Sequence, residues 1–560
     1  MALTKYDWIL ALISIFFCVS SFGNGANDVA NSYATSVAAR TLTMPQVGFL
    51  SMITEFVGAV ALGSRVTSTI KNSIIDINRF KGKPGALMLA MACAEFGSAT
   101  WLMIATGIGF PVSTTQTIVG ALIGVGFASQ TSVKWHWDKG SVSQVAASWA
   151  ISPLIAAGFA ALLFATVKYT VLERKNSLKW AMRSIPFYLA FTCGILTLFI
   201  VVEAPTAPSL EKFGAGKAAG IILGVFFGVL LLSYVFFMPY LDRRIIKQDA
   251  RLKFWHIPLG PTLWKKDPYI YFPAKADGPV VIDYYEKAYT FEDTSSDSFT
   301  QGSHSEKTNA VAETSALEKA NPLTVPTARK RIVEPEERFL APTKHLPFVH
   351  PSRLWSWTKY ILFQGVTRDC VSHTSEHLQR THARVHQYDN RVEHLYTYAQ
   401  VVSAMFMSIA HGSNDVANAV GPWAAAYSTY KAGAVATKVP TPVWILVVAG
   451  FLLGAGFWFY GFKIIRALGN RITQHSPSRG FCMELGAAIT VLLASRLGLP
   501  VSTTQCLMGA TVGVALMSYD LQAVNWRQLA YIFGGWVLTL PAAGLLGGLT
   551  MLMALNTPHF

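Results

Sequence analysis

The chain has 560 residues, 52% of them hydrophobic and only 14% charged, with a formal net charge of +15. So low a charged fraction excludes an ordinary soluble protein of this length, in which about a quarter of residues would be charged. The positive excess lies mainly in 168–183 and from about Asp242 to Val392, where it suits cytoplasmic membrane flanks and argues against nucleic acid as a partner.

The first apolar run, 7–26, carries the motif "GANDVAN" (25–31) at its end. It lacks a basic leader and holds polar residues, so it is not expected to be a cleaved signal. Apolar segments follow near 46–68, 86–110, 112–129, 142–167, 186–202 and 218–240. They resume near 397–426, 442–465, 482–499, 501–518 and 528–554. Most are close to the ~20 residues that a helix needs to cross a hydrocarbon core. The expected fold is an all-α polytopic membrane protein with about 12 transmembrane segments, counting the arms of two helical hairpins. Its divisions are an N-terminal membrane region (1–240), a hydrophilic loop (241–395) and a C-terminal membrane region (396–560). The middle of the loop, 290–322, is polar and poor in aromatics, which predicts disorder. Its tryptophan-bearing flanks, "LKFWHIPLGPTLW" and "SRLWSWTKYILFQG", are expected at the membrane face. Cys370, His373, His377, His382 and His386 have a spacing that zinc would accept, although a solvated helix is the simpler reading. The six cysteines show no CxxC spacing and read as packing residues.

An internal repeat organises the membrane regions. Residues 93–126 align without gaps to 482–515 and share "PVSTTQ", and "GANDVAN" (25–31) aligns to "GSNDVAN" (412–418). The segments between the two NDVAN copies make an odd number of crossings, so the halves are expected to be inverted. The basic loops then place 241–395 in the cytoplasm and both termini outside, although the basic stretch Lys71–Lys83 also falls outside.

In each hairpin, Pro111 or Pro500 ends the preceding helix, and Ser113–Thr114–Thr115 or Ser502–Thr503–Thr504 starts a new one. A helix starting at bilayer depth offers free N–H groups, the positive end of its dipole and here three hydroxyls, which together suit an anion. Asn27, Asp28 and Asn31, with Asn414, Asp415 and Asn418, are hard oxygen donors of the kind that binds Na⁺. Glu55, Glu95 and Glu484 are further membrane acids, the last two at equivalent repeat positions. An anion held at these tips and the two carboxylates would repel each other unless cations lay between them, so the pattern points to cation-coupled anion transport.

The doubled "GANDVANS"/"GSNDVANA" and "PVSTTQ"/"PVSTTQ", the central loop and "SPSRGFCMELGAAIT" resemble the inorganic phosphate transporter family, in particular its fungal plasma-membrane sodium/phosphate symporters. The resemblance covers both membrane halves and implies phosphate import driven by Na⁺, or by H⁺ in some branches, through an inverted-repeat fold. It implies that Ser113, Thr114, Thr115, Ser502, Thr503 and Thr504 hold phosphate, with Asp28 and Asp415 beside it. Na⁺ would fall to Asn27, Asp28, Asn31, Asn414, Asp415 and Asn418, with Gln116 and Gln505; Glu55, Glu95 and Glu484 would be coupling or structural acids. Relatives often carry His where this chain has Gln116, which favours Na⁺ over H⁺.

The expected function is therefore a sodium-coupled phosphate symporter of the plasma membrane working by alternating access, not an enzyme. It needs no cofactor beyond the transported Na⁺, and a homodimer is admitted though no residue specifies it. The alternatives are coupling to H⁺, another oxyanion as substrate, and a phosphate receptor that signals through the loop.

Overall fold

The structure, a computed structural model, describes residues 4–557 except 64–65, 68–69, 71–73, 139, 204–212, 266–279, 286–332, 373–374 and 436–440. The described residues are helical, and an isolated bridge between Ile75 and Val133 is the extended pairing among them. The predicted disordered stretch 290–322 and His373 lie outside the described residues.

In the first half, α1 (Asp7–Ala38) carries the first NDVAN motif and α2 (Met44–Leu62) follows after a short turn. The first hairpin is α3 (Pro84–Gly107) and α4 (Thr114–Ala128). Next come α5 (Val142–Val167), α6 (Ser177–Glu203) and α7 (Ala215–Leu232). In the central segment, α8 (Pro351–Phe363) and α9 (Glu376–Ala383) are short. The second half begins with α10 (Asn390–Ala432), which carries the second NDVAN motif, and α11 (Val443–Leu468). The second hairpin is α12 (Pro477–Leu497) and α13 (Thr503–Leu516), and α14 (Trp526–Asn556) ends the chain.

Helix boundaries follow local chemistry. Prolines occupy the first turn of α2, α3 and α12, where no N–H is needed. Thr43 and Gln46 close a capping box on α2. Gly433 and Gly498, at φ 73° and 70°, end α10 and α12 in the left-handed conformation that glycine adopts without strain.

Among the described residues, nine helices are long and apolar enough to cross a membrane: α1, α2, α3, α5, α6, α7, α11, α12 and α14. Helices α4 and α13 are apolar but shorter. The 43-residue α10 is absent from the nine because His411, Asn414, Asp415 and Asn418 interrupt its apolar character, yet it is buried over most of its length. At ~1.5 Å per residue it outreaches a bilayer. Lipid-facing apolar surface is broadest on α7, where Ala218 is the buried residue. In the loop, α8 exposes Trp355, Ile361 and Leu362 and meets Trp458, whose indole donates to Leu362 O (2.6 Å).

The two halves are interleaved rather than side by side. Helix α1 packs most extensively on α11, α10 packs on α2 as well as on α12, the first hairpin packs on α14, and the second on α5. Contacts between α1 and α10 run in opposite order along the two helices: Asp7 meets Tyr430, Ser14 meets Trp423, and Asn24 meets Asp415. Such contact requires residues without side chains. A Cβ on Gly25 would stand 1.9 Å from Leu453 O, and one on Gly456 would stand 2.0 Å from Phe22 O.

Gly25→Ala should therefore push α1 off α11 at a cost of about 1–3 kcal/mol, read as a lower unfolding midpoint in detergent. Gly224→Ala, with open space around its Cβ, should leave the midpoint unchanged.

Candidate functional site

Both NDVAN turns and both hairpin tips meet in one buried cluster at the middle of the bundle. Helix α1 contributes Asn27, Asp28 and Asn31, and α10 contributes His411, Asn414, Asp415 and Asn418, all buried. The tips 108–113 and 498–502 arrive from opposite hairpins. Each ends in a serine whose hydroxyl oxygen caps the new helix, Ser113 accepting from Gln116 N (3.2 Å) and Ser502 from Gln505 N (3.3 Å).

Asp28 accepts from the Thr114 hydroxyl (2.7 Å) and backbone N–H (3.3 Å) of the first tip. It also accepts from the Thr504 hydroxyl (2.9 Å) of the second tip and from the Asn31 amide (3.1 Å). Asp415 accepts from the Thr503 hydroxyl (2.9 Å), the Asn414 amide (2.7 Å) and the Asn418 amide (3.2 Å). The same asparagines hold the opposite tips. Asn31 donates to Thr504 Oγ1 (2.9 Å), and Asn418 donates to Thr114 Oγ1 (3.0 Å) and Thr115 Oγ1 (3.2 Å). The tips also touch each other, since Thr115 donates to Val501 O (3.0 Å) and Thr504 to Val112 O (3.3 Å). Asn27 fastens the first tip by donating to Thr106 Oγ1 (3.0 Å) and Phe110 O (3.1 Å) and accepting from Val112 N (3.1 Å).

His411 escaped the sequence reading. Its Nε2 lies 2.9 Å from Asp415 Oδ2 and its Nδ1 2.7 Å from Glu55 Oε2, so it bridges the two acids. Ser408 donates to Glu55 Oε1 (2.6 Å). The available signal was its position four residues before Asp415, one helical turn away on the same face. Glu484 lies in a separate pocket toward the C-terminal end of α1. There it accepts from Thr35 (2.5 Å), Ser36 (2.6 Å), Gln400 (3.2 Å) and Ser403 (2.5 Å). Glu95 is buried and neither of its carboxyl oxygens has a hydrogen-bond partner.

The groups around the aspartates are hydroxyls, amides and one imidazole. A carboxylate oxygen of Asp28, one of Asp415 and a His411 nitrogen lie within 4.8 Å of one another, the one such metal-sized group among the described residues. The amide oxygens of Asn31, Asn414, Asn418, Gln116 and Gln505 are buried without hydrogen-bond partners. Spare hard oxygens beside two carboxylates fit a Na⁺ ion. The cysteine–histidine segment of the loop forms no such group among the described residues. Cys370 packs under Phe462, and His382, whose pKa burial lowers, contacts Asn470 O (2.7 Å).

Removing Asn27 strands several buried groups of the first tip. Asn27→Ala should cost about 2–4 kcal/mol, measured as a lower unfolding midpoint, whereas a variant as stable as the unaltered chain would show that the tip holds itself.

Comparison with known proteins places the chain among transporters. Residues 24–547 match the phosphate transporter family. The chain is 39% identical, over 100% of its length and 99% of the relative's, to the phosphate-repressible phosphate permease pho-4 of Neurospora crassa. It is 28% identical to the sodium-dependent phosphate transporter 1-B of Danio rerio, with 98% and 96% of the two chains covered. A solved structure described as the sodium-dependent phosphate transporter superposes with a TM-score of 0.65 at 25% identity, covering 98% of this chain and 100% of that one.

Proposed function

The chain belongs to the phosphate transporter family, and on that premise we propose that it imports phosphate across the plasma membrane by symport with Na⁺, through alternating access. The observation that carries this reading is the double engagement of the threonines. Thr114 and Thr504, the donors suited to an oxyanion, are already donating to Asp28. Phosphate has to take those donors from a carboxylate.

Na⁺ supplies the means. Two ionised carboxylates with oxygens within 4.8 Å repel by about 3–4 kcal/mol at an effective dielectric near 20. A cation held by Asp28, Asp415 and the spare oxygens of Asn31 and Asn418 removes that repulsion and satisfies the carboxylates in place of the hydroxyls. The freed hydroxyls of Thr114, Thr503 and Thr504 and the N–H groups at the two helix starts then face phosphate. The hydroxyl hydrogens of Ser113 and Ser502 are at hand too, because capping uses only their oxygens. A substrate hydroxyl on phosphate can donate to an aspartate, which sulfate cannot do. With both tips closed on one anion, the two halves reorient together.

The opposed contact order of α1 and α10 supports inverted halves. With the twelve apolar helices read as crossings or hairpin arms, the termini lie outside and the loop in the cytoplasm, dividing the chain at 1–240, 241–395 and 396–560. A homodimer is compatible with the broad apolar face of α7. A second reading, coupling to H⁺, is favoured by His411 between Glu55 and Asp415, because a proton there would place positive charge beside the site without a metal ion.

The test is uptake of radiolabelled phosphate into proteoliposomes. An inward Na⁺ gradient should drive accumulation, and K⁺ in its place should not; accumulation driven by a proton gradient alone would transfer the coupling to His411. Asp28→Asn should lower Na⁺-driven uptake at least about tenfold. Full Na⁺-driven uptake in that variant would remove Asp28 from the mechanism.

A further inference from the structure

Glu95 and Glu484 occupy equivalent positions of the repeat but opposite environments. Glu484 accepts four hydrogen bonds from Thr35, Ser36, Gln400 and Ser403. In the register that aligns Asp28 with Asp415, the counterparts of those four donors around Glu95 are Pro422, Trp423, Ile13 and Phe16. None can donate to a carboxylate except through an indole, and the Trp423 indole donates instead to Ser14 Oγ (3.0 Å). Glu95 is fully buried, and apart from the nearby Ser20 hydroxyl neither of its oxygens has a donor.

What does lie alongside Glu95 is a polar turn of α1. The helices α1 and α3 run parallel here, with Phe16 on Phe96 (ring centroids 5.1 Å apart), a Cβ on Gly23 placed 3.3 Å from Leu102 Cβ, and Asn27 bonded to Thr106 (3.0 Å). In this register Ser20 is level with residue 99, about one turn from Glu95, and its hydroxyl is the group on α1 that reaches the Glu95 carboxyl. Ser20 Oγ, Ser21 Oγ and Asn24 Oδ1 are all buried and all lack a hydrogen-bond partner. A carboxylate and the Ser20 hydroxyl thus meet where an isolated charge is expensive, and Asn24, one turn along α1, holds a further spare oxygen. An arrangement that wastes every lone pair as a hydrogen-bond acceptor uses them well as cation ligands, and hard oxygens favour an alkali cation over a transition metal.

We propose that Glu95, with Ser20 and Asn24, forms a second Na⁺ site on the N-terminal side of the phosphate site. It extends along α1 from about 6 Å (Asn24) to about 12 Å (Ser20) before Asp28, at ~1.5 Å per residue. Asn24 stands one turn from Ser20, and its Nδ2 is 3.5 Å from Asp415 O, so this residue links the second site to the central one. The ion held there neutralises Glu95 and supplies the coupling cation to the aspartates. This rests on the sodium-coupled reading above.

The test is a Na⁺ titration of the full chain in lipid nanodiscs without phosphate, following the unfolding midpoint against matched choline chloride. In an Asp28→Asn/Asp415→Asn background, which silences the central site, a saturable Na⁺-dependent rise should persist. Adding Glu95→Gln should abolish it, and adding Ser20→Ala should shift the titration several-fold to higher Na⁺, which decides the matter if the Gln variant does not fold. In the otherwise unaltered chain, Glu95→Gln should raise the Na⁺ half-saturation of uptake about tenfold, with the phosphate KM at saturating Na⁺ unchanged. A midpoint indifferent to Na⁺ in the double variant, or a Na⁺ response that survives both Glu95→Gln and Ser20→Ala, would overturn the site and leave Glu95 a permanently protonated structural acid. Failure of the sodium-coupled reading is distinguished by uptake in the unaltered chain that does not depend on Na⁺ at all.

Discussion

Two carboxylates in the middle of a membrane protein must be matched by donors or by cations, and the rest of this structure serves that requirement. Asp28 and Asp415 sit on the two long helices that cross at the centre of the bundle. Neither can be left bare, because water is not there to solvate it. The chain answers with two hairpins that end halfway, each bringing a threonine-rich helix start to the carboxylates. The helix starts are themselves costly to bury, since their first N–H groups have no intrahelical partner. The aspartates and the tips thus satisfy each other, and that mutual dependence makes the site responsive. Whatever neutralises the carboxylates releases the donors.

Interleaving of the halves turns this local exchange into a global one. Each hairpin packs on a helix from the other half, and each NDVAN helix packs on the other half's second helix. The close approaches at Gly25 and Gly456 tie α1 to α11 without intervening side chains. A change at the centre cannot be absorbed by one half alone, because the backbones in contact belong to both. Helix α1 makes the connection plain: it bears Asp28 at the centre and, two turns further, Thr35 and Ser36 that hold Glu484 together with Gln400 and Ser403 of α10. Release of that clamp would be needed for α1 and α10 to part on this side.

Much of this was legible in the sequence, for a physical reason. Polar residues in apolar runs stand out against their background, so the doubled NDVAN and PVSTTQ motifs marked the site residues, and the prolines and serines marked the tips. All seventeen residues nominated there are buried in the bundle, but Glu95 and Glu484 lie apart from the central cluster. The apolar segment at 397–426 also marked α10, although its polar residues keep this helix out of the long, uniformly apolar ones. His411 carries no repeat signal, because this residue is where the copies differ: the first half has Asn24 in its place. The contrast between Glu95 and Glu484 could not be read from the repeat either. Alignment makes them equivalent, and only packing reveals that one is clamped by donors and the other left without them. Swapped contacts between halves are likewise invisible to a reading that proceeds segment by segment.

The central claim is that Na⁺ frees the threonine donors from the aspartates before phosphate can use them. Isothermal titration of phosphate into the purified protein, at equal ionic strength in NaCl and in KCl, addresses that exchange without requiring transport. The account predicts that Na⁺ tightens the phosphate Kd at least about tenfold, and that replacing Asp28 and Asp415 by Asn removes the difference between the two salts. Equal phosphate affinity in Na⁺ and K⁺ for the unaltered chain would contradict it, since the carboxylates would then be releasing their donors without a sodium ion.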